Sequence, residues 1–479
     1  MSEPEAELPP TVPIQAVGRG DRPGLHVRLF GTSAFFRLWL AQVVSAIGDW
    51  LGLFAITYLA TRVGGGSSGT AVGLVMTARI LPGFFLASVA GVMIDRLDRK
   101  KVMVICDIGR AAVMVLLPFV DTVLGLVVAS LVLEIGTLLW SPAKEASVPN
   151  LVPTDRLTSA NSLSLVAAYG TMPLAAGLFA LLALVAKWLG GIEALDALEA
   201  DQETLAFYVD AATFLTSALI ISTLALPDRR RERRPDVERR RIDWGQTYHE
   251  LKEGWSLIFV NPVVRAVNVG LATGLVGGGM IVPLGSVFSV EVLGAGPAGY
   301  GVFVFALGLG VAFGVLGLSV VQNRVPKDRA FALSLLVAGG ALIGVASMSR
   351  MLLAAVGVGV LGICAGSVYV LGFTLLHENV EDELRGRIFS ALYTLVRLCV
   401  LVSFAVGPFL SGLLDSVSSG LLDDRRWEPL GLDLFLPGVR LTLWLAGAII
   451  LLAGALAVRS LRATRVAAGR DPGAGLGSR

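Results

Sequence analysis

Three charged residues, Asp49, Arg79 and Glu134, stand inside long apolar runs of the 479-residue chain. A charge in hydrocarbon costs roughly 2.5–3.5 kcal/mol on insertion scales, so each needs a partner or a task. Asp49 lies 13 residues in from Phe36, and Arg79 lies 15 residues out from Ile94. At about 1.5 Å per helical residue the two stand about 20 and 22 Å from one membrane face, which predicts an Asp49–Arg79 pair. Two readings of the pair stay open. One is a structural salt bridge; the other is proton coupling, with Asp49 taking a proton when the pair opens. Burial and a neighbouring arginine act on a carboxylate in opposite senses, so its protonation can follow conformation. Glu134 is the reserve carboxylate, and Asp107 with Arg110 reads as a local ion network.

Polar residues recur at helical spacing in four of the runs: Gln42, Ser45 and Asp49; Ser130, Glu134 and Thr137; Asn161, Ser164 and Thr171; Ser390, Thr394 and Arg397. Such a stripe faces a cavity or another helix rather than lipid. Together they predict a water-accessible central cavity whose candidate wall is Gln42, Ser45, Ser130, Thr137, Ser164 and Thr394. Tyr58, Trp140, Tyr169 and Tyr369 are aromatic residues that either stack on a ligand or pack.

The elements that must position these residues are membrane helices. The chain is 54% hydrophobic and 16% charged, with a mean hydropathy of +0.74. Soluble domains carry about a quarter charged residues. Twelve apolar spans follow: Phe36–Ala60, Thr70–Ile94, Val102–Val120, Thr122–Trp140, Asn161–Ala186 and Leu205–Leu226, then Pro262–Val290, Gly299–Val321, Ala330–Met348, Leu352–Leu376, Ile388–Leu414 and Gly438–Val458. Lipid cannot satisfy backbone polar groups, so these are helices. The predicted fold is an all-α polytopic membrane protein of two six-helix bundles.

Lys and Arg gather in alternate loops and at both ends, which places both termini in the cytoplasm. The layout is a tail over 1–35, a bundle over 36–226, a basic linker over 227–261, a second bundle over 262–458 and a tail over 459–479. The first 30 residues lack the apolar core of a cleavable signal. In the linker, Trp244, Tyr248, Leu251, Trp255 and Ile258 fall on one helical face, suiting an amphipathic helix in the interface. Positive-inside topology explains the linker's arginines, so no nucleic-acid partner is expected. Lys187–Thr204 and Asp415–Pro437 are long outer loops. Gly277-Gly278-Gly279 and Pro283 weaken the seventh span, as a gating or close-packing helix requires.

Between the second and third spans lies Gly91-Val-Met-Ile-Asp95-Arg96-Leu-Asp98-Arg99-Lys100-Lys101. Its charges cannot enter hydrocarbon, so it is a water-facing loop. The spacing Gly-x-x-x-Asp-Arg-x-x-x-Lys-Lys resembles the loop signature of the major facilitator superfamily. The degenerate Val321-Gln-Asn-Arg324-Val-Pro-Lys327-Asp328-Arg329 stands at the matching place in the second half. Ser45-Ala-Ile-Gly48-Asp49, the loop itself, and Ser141-Pro-Ala-Lys144 through Leu163 resemble the branch of macrolide and enterobactin exporters. The resemblance implies that Asp95 caps a helix of the opposite bundle within a charge relay latching the cytoplasmic side. Gly91, Arg96, Arg99, Lys100 and Lys101 belong to that latch, with Arg397 as an expected partner. The chain departs from proton-coupled drug antiporters in two places: Glu134 replaces an arginine, and Met172-Pro173-x-x-Ala176-Gly177 replaces Gly-Pro-x-x-Gly-Gly.

Gly357-x-Gly359-x-x-Gly362 has the letters of a dinucleotide fingerprint, but no strand precedes it, so it reads as small-residue helix packing. No P-loop, metal-ligand cluster or nucleophilic constellation occurs, so neither an enzyme nor a cofactor is expected. The expectation is a monomeric secondary exporter in a bacterial inner membrane, with membrane lipids, protons and a small-molecule substrate as its partners. It moves an amphipathic or lipophilic molecule by alternating access, by proton antiport. The alternatives are an exporter or flippase of a specific siderophore-like or lipid-like metabolite, with or without proton coupling, and a non-transporting membrane scaffold.

Overall fold

The computed structural model describes residues 29–94, 97–153, 156–189, 203–225, 261–321, 324–380, 382–427 and 434–468. The first half holds α1 (Ser33–Gly64), α2 (Ser68–Ile94), α3 (Arg99–Leu116), α4 (Val123–Ser147), α5 (Leu157–Tyr169), α6 (Met172–Leu189) and α7 (Thr204–Ser222). The second holds α8 (Pro262–Gly279), α9 (Ile281–Glu291), α10 (Gly296–Val321), α11 (Lys327–Ser347), α12 (Met351–Asn379), α13 (Asp382–Leu401), α14 (Gly407–Leu421) and α15 (Gly438–Ala468). Among the described residues, eleven helical stretches are long and apolar enough to cross a membrane, and the first, Ser33–Leu86, holds α1 and most of α2. That gives twelve spans, six in each half. α5 with α6, α8 with α9, and α13 with α14 each make one broken span.

Side chains close the helix ends that lipid cannot. Thr32 Oγ1 accepts from Phe35 N at 3.1 Å, and Asn261 Oδ1 accepts from Val263 N at 2.9 Å. Asp98 caps α3 by accepting from Lys101 N at 3.2 Å. These contacts satisfy N–H groups that have no partner within the helix.

Glycines set the helix spacing. A Cβ at Gly310 or Gly314 of α10 would overlap the carbonyl of Gly359 or Ile363 in α12, and one at Gly362 or Gly366 would overlap Leu307 O or Val311 O. The Gly359-x-x-Gly362 pair is thus helix packing, as the sequence implies. In the seventh span, Met280 separates α8 from α9. Gly279 faces Ser403, and Gly407 faces Met280. Ser403 belongs to a π-helical turn, Val402–Val406, between α13 and α14. Two broken helices of the second half therefore meet at their breaks.

The expected outer loop from Asp415 to Pro437 is partly built. α14 runs on to Leu421, and Arg426–Trp427 pairs antiparallel with Leu434–Phe435. Asp415 holds Arg425 at 2.8 Å and accepts from Gly438 N at 3.0 Å. Polar side chains hold the described parts of this loop, and hydropathy cannot register them. The N-terminal tail to residue 28, most of the acidic outer loop, the linker with its aromatic face and the last eleven residues lie outside the described residues.

The halves meet on the side away from the termini. Thr61 Oγ1 donates to Ser286 Oγ at 2.8 Å, and Ser68 Oγ donates to Glu291 Oε1 at 2.6 Å. Gly69 lies against Pro408 O, Gly412 against Thr70, and Gly308 against Pro173. Tyr300 of the second half packs edge-on against Phe54 and Phe179 of the first, with ring centroids 6.0 Å apart in each pair. Toward the ends bearing the termini, Asn161, Ser162 and Arg397 are exposed polar residues of their spans.

Candidate functional site

α3 carries Asp107 and Arg110 three residues apart, so both leave one helix face. Asp107 is 0% exposed and Arg110 is 2% exposed. Arg110 Nη2 donates to Asp107 Oδ1. Its Nη1 donates to both oxygens of Asp49 on α1, at 3.1 and 3.2 Å. Asp107 Oδ2 accepts from Ser217 Oγ of α7 at 2.8 Å and from Trp140 Nε1 of α4 at 3.3 Å. The Phe214 ring lies 4.2 Å from the guanidinium carbon, within cation–π range. A Cβ at Gly136 would come 3.0 Å from Arg110 Cγ, so this glycine makes room for the arginine stem.

The expected Asp49–Arg79 pair does not form: the cation bound to Asp49 is Arg110. Equal depth along two helices says nothing of their rotation about their own axes. Arg79 instead lines the cavity alongside Asp49 without pairing with it. Gly83, one turn from Arg79, places its Cβ position 3.8 Å from Glu134 Oε1. The expected local network of Asp107 and Arg110 is present, and it extends to Asp49.

Beside this cluster is a cavity of about 250 Å³ lined by Gln42, Ser45, Asp49, Arg79, Thr137 and Trp140, among others. The Asp49 side chain is 31% exposed into open space. Gln42 Nε2 donates to Ser164 O at 2.9 Å, while its Oε1 accepts from the buried Lys144 Nζ at 3.4 Å. Ser164 thus borders the site through its backbone. Ser130 does not join the wall: it shares a face of α4 with Thr137 but lies two turns away, beyond the cavity, where it is fully buried in helix packing. Thr394 belongs to α13 in the other half, and it is half-buried and apart from this cavity. Trp140 lines the cavity, Tyr58 packs against the core, and Tyr169 and Tyr369 are exposed.

Of the expected latch, Asp95 and Arg96 lie outside the described residues, and Gly91 is placed only as part of α2. Arg99 Nη1 donates to Ala146 O at 2.5 Å, and Lys100 Nζ donates to Leu224 O at 2.8 Å. Lys101 pairs with Asp98 at 3.8 Å. These bases tie α3 to the ends of α4 and α7 within one half. Arg397 is exposed.

One residue escaped the sequence reading. Asp210 is the only charged residue within α7, and it is fully buried. Its signal was present, since Asp210, Phe214 and Ser217 share a helix face at spacings of four and three residues.

The family model described as Major Facilitator Superfamily matches residues 38–402. The chain belongs to the major facilitator superfamily. Macrolide efflux protein A of Streptococcus pyogenes is 24% identical over 396 residues, 79% of this chain and 88% of that protein. The MFS-type transporter YkuC of Bacillus subtilis is 24% identical over 370 residues, 75% of this chain and 81% of that protein. Among solved structures, a bacterial homologue of the human lysosomal transporter Spinster, inward-facing and unoccupied, superposes with a TM-score of 0.67. It is 16% identical, covering 90% of this chain and 98% of that one. As a major facilitator protein the chain is a multi-pass membrane transporter and not an enzyme. Its first half carries the buried ion cluster, and its second half carries the paired helix breaks.

Proposed function

We propose that this transporter exports an amphipathic or lipophilic small molecule from a bacterial cytoplasm, driven by proton antiport. The observation that carries the reading is Asp49: a carboxylate inside the membrane that lines a cavity and whose charge is held by the buried Arg110. Such a group can exchange a proton with water, and the exchange changes its hold on a neighbouring helix. Macrolide efflux protein A, similar over most of its length, supports the outward direction. The basic loops support cytoplasmic termini in the inner membrane, and with them a structure closed on the outer side and open to the cytoplasm. The paired helix breaks of the second half supply a place for a span to bend. The latch built on Asp95 would close the cytoplasmic side, a carboxylate at a helix N-terminus gaining from unpaired N–H groups.

Cellular accumulation of a panel of dyes and macrolides in a pump-deficient host tests this reading, with and without protonophore. Lower accumulation that protonophore abolishes is the expected result, and Asp49→Asn should remove both the export and its pH dependence. Lowered accumulation that ignores protonophore would exclude proton drive. No effect on any compound would point instead to a narrow metabolite or lipid substrate.

A further inference from the structure

Asp210 is a buried acid of α7 that the proposed function does not use. It is 0% exposed. Its Oδ2 has no hydrogen-bond partner, and its Oδ1 meets only the hydroxyl of Thr213 on its own helix, at 3.2 Å. Both oxygens are seated against α1, where a Cβ at Gly48 would overlap Oδ1 and one at Gly52 would overlap Oδ2. The charged groups that face it are Asp49 of α1, Arg110 of α3 and Arg79 of α2, with Asp107 held on Arg110. The two Nη groups of Arg110 are already given to Asp49 and Asp107.

Charge counting then decides the protonation. Asp49, Asp107 and Asp210 ionised together against Arg110 and Arg79 would leave one uncompensated negative charge in the membrane interior, and neither guanidinium donates to Asp210. An uncompensated buried ion is strongly destabilising. Asp107 has three donors, from Arg110, Trp140 and Ser217. Asp49 has the guanidinium and access to the cavity. Asp210 has neither a bound cation nor solvent.

We propose that Asp210 is a neutral carboxylic acid in this conformation and shares one proton with Asp49. In the alternate state the O–H bond at Asp210 breaks and an O–H bond forms at Asp49, while Arg110 Nη1 passes from Asp49 to Asp210. The cluster's charge is the same before and after, so no bare ion is created. Asp49, which borders the cavity, then exchanges the proton with water. While the proton is away the added negative charge sits on Asp49, where cavity water solvates it, and not on the buried acids. Gly48 and Gly52 leave α1 free of Cβ atoms where it must slide along α7. Asp210 acts through Asp49 and Arg110 and is a proton-holding and positioning residue. The release step rests on the proton-coupled reading above; the neutral acid does not.

Infrared spectroscopy of the full-length protein in lipid nanodiscs tests this without any substrate, so its outcome is separate from the accumulation assay. A carbonyl stretch of a protonated carboxyl is expected in the wild type. It should vanish in Asp210→Asn and persist in Asp49→Asn. Its hydrogen–deuterium exchange should slow about tenfold or more in Asp49→Asn, because the route to water is gone. If Asp210→Asn does not fold, Asp210→Ser reports the same loss. Absence of the band in the wild type, or a band indifferent to both Asp210 substitutions, overturns the neutral acid. Exchange in Asp49→Asn as fast as in the wild type overturns the shared proton.

Discussion

Arg110 faces Asp49, Asp107 and Asp210 with a single charge, and its stem passes over Gly136 into a site with almost no solvent. Replacing it with Met keeps the volume and removes the charge, leaving Asp107 buried without its cation. Breaking a buried pair from one side costs about 3–5 kcal/mol. Arg110→Met should therefore lower the thermal midpoint of the purified protein sharply, whereas Arg79→Met, at a half-buried position without a hydrogen-bonded carboxylate, should leave it close to wild type. Equal losses would show that the cluster's stability does not depend on Arg110. The types Asp49, Asp107 and Arg110 were legible in the sequence, as charges in spans that demand partners. The pairing was not, because helical depth fixes one coordinate and the rotation of α2 fixes another.

At the scale of elements, the small residues decide how closely helices approach. Gly362 of α12 abuts Leu307 O of α10, and Gly52 of α1 abuts Asp210 and Met114. Overpacking a close contact costs typically about 1–3 kcal/mol. Gly362→Leu should lower thermal stability by about that amount through the α10–α12 contact, with Gly317→Leu, at an open position, as the neutral control. Gly52→Leu should separate α1 from α7 and also disturb the ion cluster, so transport should fall further than stability alone accounts for. The ratio of flux to folded protein checks this. The breaks at Met280 and at the Val402–Val406 turn were half visible: Gly277 to Gly279 and Pro283 announced one, while no residue in Val402–Val406 announces a π-helical turn.

At the scale of the molecule, the two halves are joined by short polar contacts at one side, Thr61 with Ser286 and Ser68 with Glu291. Alternating access requires these to break. A Ser68→Cys, Glu291→Cys pair, linked by a short bifunctional thiol reagent in a background without Cys106, Cys364 and Cys399, should hold this side shut and stop flux, with recovery on cleavage of the link. Flux that survives complete cross-linking would show that this side need not open. Ser68→Ala should act in the opposite direction and raise the reactivity of cysteines placed near Thr61, since one joining hydrogen bond is gone. A change of state by a ligand or a mutation can be no larger than its differential effect on the two conformations.

Composition and hydropathy by themselves determined that this chain crosses a membrane as twelve helices in two halves, because lipid allows a long apolar run no other backbone solution. The loop signature around Asp95 gave the family, and the GxGxxG letters within the tenth span were correctly assigned to packing from their context alone. Tertiary structure decided the rest. Which carboxylate meets which guanidinium, that Ser130 is packed while Thr137, two turns along the same face, lines a cavity, and that Asp210 is seated against Gly48 and Gly52 all depend on helix rotation and approach. Those quantities come from the packing of side chains between helices distant in sequence, and no single apolar run contains them.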